Sequence, residues 1–326
     1  MSGRPSVLVT GAAGYLGGVF LQELVAGRGG CLPSRVVAAD VRETPSTGRL
    51  PGVRYAVCDV RSPGLADLLK EEGVDTVVHL ASILDPGPRG DAAFGYSVDV
   101  LGTENVLNAC ASAGVRRIVV SSSGAAYGYH PDNPALLTED HPLRGNDEFA
   151  YARHKRLVEE MLARWRRERP ELEQVVLRVG TILGDDTRNQ ITALFDRRPM
   201  LALRGSETPF VFAWDRDVAR CLVQAVFSAK TGTYNLAGDG ALGLRELAAL
   251  RGTRCVELPA WLVKAVLSVL KPLGLSRFGP EQVMFLAYRP VLDNRRLKDE
   301  FGFIPERTSR QVFEGFVRAR AAQGAA

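Results

Sequence analysis

Apolar runs and amphipathic stretches alternate through the first half of the chain and just beyond it. The apolar runs are Val7–Thr10, Val36–Asp40, Arg54–Asp59, Thr76–Leu80, Ile118–Ser122 and Val175–Arg178. Each is almost continuously hydrophobic, as strands covered on both faces must be. Between them, helical spacing predicts Tyr15–Ala26, Leu65–Glu72, Phe94–Ala113 and Tyr151–Arg169. Strand followed by helix, repeated in this way, implies an α/β fold: a doubly wound parallel sheet of Rossmann type with right-handed crossovers.

After Arg178 the alternation loosens. An apolar stretch at Phe210–Trp214 leads into a helix expected over Asp217–Ala229, with Asp215 or Asp217 as its cap. Thr233–Leu236 suits a late strand of the same sheet. The chain therefore divides into a dinucleotide-binding unit over residues 1–178 plus about 211–238, and a smaller substrate lobe over 179–210 and 239–326. That lobe is expected over the carboxyl edge of the sheet, where ligands bind in such folds. Trp261–Leu275 is the most apolar later segment, but Lys264, Lys271 and Pro272 interrupt it, and it is too short to span a bilayer. A partly buried helix and a helix lying on a membrane surface both fit it. The final Ala-Ala-Gln-Gly-Ala-Ala reads as a frayed tail.

Composition narrows the classes. Of 326 residues, 46% are hydrophobic and 24% charged, ordinary globular usage that excludes a disordered or fibrous chain. A net charge of +4 is too mild for a nucleic-acid binder, which needs clustered basic stripes. The densest basic run, Arg164–Arg169, stands before Pro170 and suits a helix terminus. Five scattered cysteines, with no Cys-x-x-Cys pair, argue against a disulfide framework or a metal site and for a reducing, cytoplasmic setting. No signal-peptide core follows Met1.

The run Val7–Thr10 passes directly into Gly11-Ala12-Ala13-Gly14-Tyr15-Leu16-Gly17 and then a helix. Gly11 permits the tight turn, Gly14 lets backbone approach a pyrophosphate, and Gly17 lets helix pack on strand. The unpaired amides of the helix start then face the phosphates. Between the first strand and first helix of an alternating pattern, this motif points to a nicotinamide dinucleotide. Asp40 closes the second strand, where a carboxylate bonds the adenosine ribose and repels a 2′-phosphate, favouring NAD over NADP. Arg42 keeps NADP open, because a guanidinium pairs with that phosphate. Asp59, at the third strand's end, suits either an adenine contact or a turn cap.

Tyr151 and Lys155 stand one helical turn apart on the same face. Upstream, Ser121-Ser122-Ser123 ends the fifth strand at the edge that carries the glycine loop. A tyrosine ordinarily titrates near ~10, so acting as a base near neutrality requires a neighbouring cation. Lys155 provides one, and a serine hydroxyl can hold the substrate oxygen beside the phenol. The set suits hydride exchange between a secondary alcohol and a ketone.

These motifs, together with Val78-His79-Leu80-Ala81, Ser121–Gly128, Asp217-Val218-Ala219, Val291-Leu292-Asp293 and Phe301–Pro305, resemble the extended short-chain dehydrogenases/reductases. More narrowly, they look like the NAD-dependent epimerase/dehydratase group, over nearly the whole chain. The resemblance implies that Ser123 is the catalytic hydroxyl, Tyr151 the acid/base and Lys155 its ribose-binding partner. It implies that Tyr15, Leu16, Val60, Leu80 and Ala81 line the dinucleotide cleft, with His79 given no chemistry of its own. Tyr127 fits either packing near the site or a buried structural role. The resemblance also implies a two-fold homodimer through Tyr151–Arg169 and Phe94–Ala113, where Leu157, Val158, Met161 and Leu162 form an apolar strip serving core or interface.

The departures are informative. The family often has asparagine where Asp99 stands. Its nucleotide-sugar enzymes carry asparagine at Thr181, arginine at Phe210 and commonly histidine at Trp214. Loss of charge-assisted donors would leave a diphosphate poorly held, unless Arg188, Arg197, Arg198 or Arg204 supply them from another direction. The leading expectation is an NAD-dependent oxidoreductase acting on a small, partly apolar or uncharged hydroxy compound. A nucleotide-sugar epimerase or dehydratase is the alternative, and a non-catalytic dinucleotide sensor is a third from another class.

Overall fold

The computed structural model describes residues 4–27, 30–84, 92–206, 208–276, 279–280 and 282–324. Strands β1 (Ser6–Thr10), β2 (Arg35–Asp40), β3 (Val53–Val57), β4 (Thr76–His79), β5 (Arg117–Ser123) and β6 (Glu173–Val179) follow one another through the first half. Three short strands, β7 (Thr181–Leu183), β8 (Met200–Leu203) and β9 (Phe212–Trp214), come next, and β10 (Gly232–Leu236) then returns to the main sheet. The seven sheet strands run parallel in the order β10-β6-β5-β4-β1-β2-β3. The chain's direction of travel across the sheet reverses at β1 and β4. The segments leaving their carboxyl ends diverge there and open a crevice.

Val7, Leu8, Val9, Val77 and Val78 have no exposed surface, which accounts for their unbroken hydrophobicity. Alternate side chains enter two cores. On one face Val7 and Val9 meet α1 (Tyr15–Ala26), through Phe20, Leu21 and Leu24. On the other, Leu8 meets α2 (Leu65–Glu71). The same core takes α4 (Gly102–Ala113) and α5 (Ala150–Glu168), and a short α3 (Ala92–Tyr96) joins α4 through a π turn at Ser97–Leu101. Helices α6 (Gln190–Phe195) and α7 (Asp215–Phe227) follow, and α7 covers α1 with Val218, Leu222 and Ala225. Full burial of each such side chain contributes about 1.5–3 kcal/mol.

The second lobe contains α8 (Leu244–Leu250), β11 (Cys255–Leu258), α9 (Ala260–Leu270), α10 (Gln282–Ala287) and α11 (Ser309–Gly324). β11 pairs with β8 and β7 with β9. Two local expectations change. The helix expected from Asp217 starts at Asp215, and neither aspartate caps it. Asp215 Oδ1 accepts the Arg216 N–H at 2.8 Å, and Asp217 receives the backbone N–H groups of Glu306 and Arg307. The tail remains helical through Gly324, with Ala325 and Ala326 outside the described residues. The Trp261 segment is, as one of its two expectations had it, a partly buried helix, with Val263 and Leu267 half-buried and no side chain fully so. Leu203, Val283 and Ala287 offer it only a small apolar patch, and Trp261 stays 71% exposed. No helix among the described residues is long and apolar enough to cross a membrane.

Candidate active site

The glycine loop is built by close backbone contacts. Gly11 has φ +67°, and a Cβ there would stand 2.7 Å from the Ala81 nitrogen. The loop after β1 and the segment after β4 therefore pack backbone to backbone, which brings Leu80 and Ala81 beside the motif. A Cβ on Gly17 would collide with the Gly11 carbonyl oxygen and lie 2.8 Å from Ala12 Cα. Gly14 offers α1 no side-chain cap, so the helix start keeps its amides for a ligand. Asp40 is buried, and its Oδ2 accepts the Ala13 N–H at 3.0 Å. Arg42 is engaged locally, donating from Nη2 to the Ala13 carbonyl at 2.9 Å and from its backbone N–H to Asp40 Oδ1 at 3.0 Å. A cavity of about 340 Å³ opens beside Ala12, Gly14, Gly18, Arg42 and Tyr55. A glycine cradle, an uncapped helix start and a buried carboxylate at the second strand's end fit a dinucleotide.

Tyr15 leaves this loop to clasp the second half of the chain. Its hydroxyl donates to Asp215 Oδ2 at 2.6 Å and accepts from Thr187 Oγ1 at 2.8 Å. Burial, together with the Asp215 carboxylate, pushes the phenol well above its ordinary range. Asp59 is occupied by Arg61, which donates from its backbone N–H and from Nε and Nη2, the turn-cap arrangement. Val60 is buried, its carbonyl accepting from Asn105 Nδ2 at 2.7 Å.

Lys155 lies buried on α5, its Nζ donating to the Ser121 carbonyl at 3.2 Å and standing 5.6 Å from the Tyr151 ring centroid. Ser123 ends β5 half-buried. Its Oγ accepts the Ala125 N–H at 3.1 Å, which leaves its own O–H to donate. His79 crosslinks β1 to α4: Nδ1 lies 2.7 Å from Thr10 Oγ1 and Nε2 lies 3.0 Å from Thr103 Oγ1. Thr103 donates its proton to the Asp99 carbonyl, so its oxygen accepts from His79 Nε2–H and the imidazole is a neutral, bridging group. Burial, reinforced by the Lys155 charge, pushes His79 down to about 4.

Behind β5 runs a buried polar chain. The Ser122 hydroxyl donates to Glu159, and Arg178 pairs with that carboxylate through Nε and through Nη2 at 2.7 Å. Arg178 Nη1 donates to the Tyr127 hydroxyl at 2.7 Å, and Tyr127 and Asn235 meet at 2.8 Å. Tyr127, with no exposed surface, is thus a structural tyrosine. Val158, Met161 and Leu162 are buried in the core beneath α5, so the strip noted in the sequence serves the chain's interior.

Phe210, Phe212 and Trp214 do not line an open pocket. They pack with Phe195, Phe313 and Phe316 as core. The arginines sought at Arg188, Arg197, Arg198 and Arg204 are all exposed. The guanidinium that meets Phe210 belongs to Arg289, 4.0 Å above the ring. Arg289 is buried and donates to the Leu286 and Thr208 carbonyls, while its Nε has no hydrogen-bond partner among the described residues. Burial pushes it down to about 10. No sequence pattern distinguished it from the other arginines. A larger cavity, about 500 Å³, is lined by Glu23, Arg220, Gln224 and Phe303 and contains none of these groups.

Residues 7–237 match the model of the NAD-dependent epimerase/dehydratase family. The chain belongs to that family. An uncharacterised protein of Mycobacterium tuberculosis is 28% identical over 318 residues, covering 96% of this chain and 84% of its own length. Among solved structures, MoeE5 in complex with UDP-glucuronic acid and NAD is similar at 26% identity and TM-score 0.73, covering 98% of this chain and 99% of that one. The Thermus thermophilus UDP-glucose 4-epimerase complex with NAD is 25% identical with TM-score 0.73, covering 97% and 99%. Family members of this kind are NAD-dependent enzymes, and the parallel sheet with flanking helices is theirs.

Proposed function

We propose that this chain is an NAD-dependent oxidoreductase that exchanges hydride with a secondary alcohol or ketone of a small substrate, using Ser123, Tyr151 and Lys155. The observation that carries the reading is Lys155, bonded to the Ser121 carbonyl beside the Tyr151 ring at the sheet edge that bears the glycine loop. Bound NAD supplies the hydride acceptor. Ser123 donates its O–H to the substrate oxygen and holds it against Tyr151. The Lys155 ammonium favours the phenolate, so Tyr151 takes the hydroxyl proton as the carbon gives up hydride, and returns it in the reverse direction. Gly11, Gly14 and Gly17 admit the diphosphate, and Asp40 accepts bonds from the adenosine ribose hydroxyls, which favours NAD over NADP.

The aromatic core at Phe210–Trp214 removes one reason for an apolar substrate, but a diphosphate is not well provided for either. Nη1 and Nη2 of Arg289 each give an N–H to a backbone carbonyl, so the guanidinium is held by the chain itself and only its Nε–H stands without a partner among the described residues. A small hydroxy compound without a diphosphate therefore remains the first reading. A nucleotide-sugar epimerase or dehydratase is the second, supported by that residual buried N–H and by the UDP-sugar complex of MoeE5.

The test is turnover of purified protein with NAD against secondary alcohols and UDP- and dTDP-sugars, followed by nicotinamide absorbance and product analysis. Stoichiometric cofactor reduction supports the first reading, and a changed sugar with recycled cofactor supports the second. Tyr151→Phe is expected to lower either activity by about 10²–10⁴-fold. Near-full turnover by that variant overturns the mechanism.

A further inference from the structure

Asp99 stands in the π turn, and His154 stands beside Lys155 on α5. They are 55 residues apart and meet in the interior, Asp99 Oδ2 lying 2.9 Å from His154 Nδ1. Both side chains are almost wholly buried. The other carboxylate oxygen accepts the Ile83 N–H at 2.8 Å. The far side of the imidazole packs against α3. Nε2 is buried with no hydrogen-bond partner among the described residues, the ring lies edge-on to Tyr96 at 5.7 Å, and a Cβ on Gly95 would stand 3.4 Å from Cε1.

That asymmetry selects a charge state. An imidazolium would bury an Nε2–H that no described residue accepts, at a cost of about 1–3 kcal/mol or more for a charged donor. A neutral ring donating from Nδ1 leaves only an unused lone pair. The contacts fit a ring that donates from Nδ1 and leaves the negative charge of the pair on Asp99. Burial opposes that charge, yet the His154 bond and the Lys155 ammonium together hold the Asp99 carboxyl below its ordinary range. Asp99 and Lys155 line one small cavity with His79, Thr103 and Ser121. Of the titratable groups around this pair, neutral His79 from β4 shares the cavity, His154 bonds Asp99, Tyr96 from α3 meets the His154 ring, and Tyr151 stands beside Lys155. No second carboxylate among the described residues lines this cavity.

We propose that Asp99, held by His154, is a positioning residue that gives Lys155 a fixed counter-charge and so keeps Tyr151 protonated to higher pH than a neutral side chain at position 99 would. A cation beside a phenol favours phenolate, and an anion behind that cation weakens the effect. The consequence is an active site weighted toward Tyr151 as a proton donor, the role it takes when a carbonyl is reduced. This rests on the reading of Tyr151 as acid/base, but the phenol can be titrated whatever the reaction proves to be.

The experiment is an ultraviolet titration of the NAD-loaded protein against Tyr151→Phe, so that the difference isolates one phenol. Asp99→Asn is expected to move that midpoint down by about one pH unit. His154→Gln, which leaves the carboxylate in place, is expected to move it by less than about a third as much. A midpoint unmoved in Asp99→Asn, or moved equally by both variants, overturns the proposal. Nitrogen NMR of ¹⁵N-histidine-labelled wild type needs no variant. A neutral Nδ1–H ring at His154 near neutral pH is expected, and an imidazolium there overturns the proposal even if Asp99→Asn does not fold. If Tyr151 titrates as expected in a protein whose turnover survives Tyr151→Phe, the functional reading falls and this electrostatic arrangement stands.

Discussion

Glu159→Gln is expected to destabilise the fold strongly, because it isolates a buried cation. Glu159 and Arg178 are only 5% and 6% exposed, and the guanidinium contacts both carboxylate oxygens, at 3.1 and 2.8 Å from Nε and 2.7 Å from Nη2. Removing the carboxylate charge leaves Arg178 with the Tyr127 hydroxyl and the Glu139 carbonyl, neither of them anionic. Breaking one side of such a pair costs about 3–5 kcal/mol, chiefly the desolvation of the charge left behind. At about 2 °C per kcal/mol for a chain of this size, Tm falls by about 6–10 °C. Differential scanning calorimetry of the wild type, Glu159→Gln, Arg178→Met and the double variant Glu159→Leu/Arg178→Met measures it. The double variant removes both charges and is expected to recover most of the loss. A single-variant loss below about 1 kcal/mol, the value of a surface pair, would refute the reasoning.

Three further outcomes are expected. Gly17→Ala drives a methyl into the Gly11 carbonyl and Ala12 Cα, backbone that cannot yield, so α1 shifts off β1. NAD affinity by calorimetry should drop by about 5- to 150-fold if an overpacking cost of about 1–3 kcal/mol falls on the cradle, and unchanged affinity counts against it. His79 is depressed to about 4 when folded, against 6.5 unfolded. As pH falls the unfolded chain takes the proton first, so the stabilisation is complete above about 6.5 and is lost on the way to 4, by about 3 kcal/mol. The wild-type-minus-His79→Gln difference in Tm across that window should show it, and a flat difference would contradict it. Asp40→Ser should narrow the preference for NAD over NADP by about tenfold or more, corresponding to about 1.4 kcal/mol. Titration of both dinucleotides checks this, with an unchanged ratio assigning the choice elsewhere.

Much of the sheet was legible because its signals are local. Continuous apolar runs placed six strands within a residue or two, and α1 begins and ends where helical spacing placed it. What escaped was non-local. Asp99 and His154 each look like a polar residue on an ordinary helix, and their bond joins segments whose proximity no periodicity reports. Phe210, Phe212 and Trp214 carried the right hydrophobicity but no address, since an aromatic filling a core and one lining a cleft are written alike. Arg289 was missed for the same reason: only burial separates it from its exposed counterparts. The π turn at Ser97–Leu101, which aims Asp99 inward, left no mark in the helical pattern.

The pairing of α1 with α7 also governs how the chain is made. Tyr15 and Asp215, bonded across that contact, are 200 residues apart. At about 5–20 residues per second, synthesis leaves roughly 10–40 s between the emergence of the two helices from the ribosome. Through that interval Phe20, Leu21 and Leu24 have no covering helix, and β6 lacks its outer neighbour β10. A nascent chain arrested before Asp215 should therefore present the Phe20, Leu21 and Leu24 face to chaperones, and synthesis of α7 should cover much of that face.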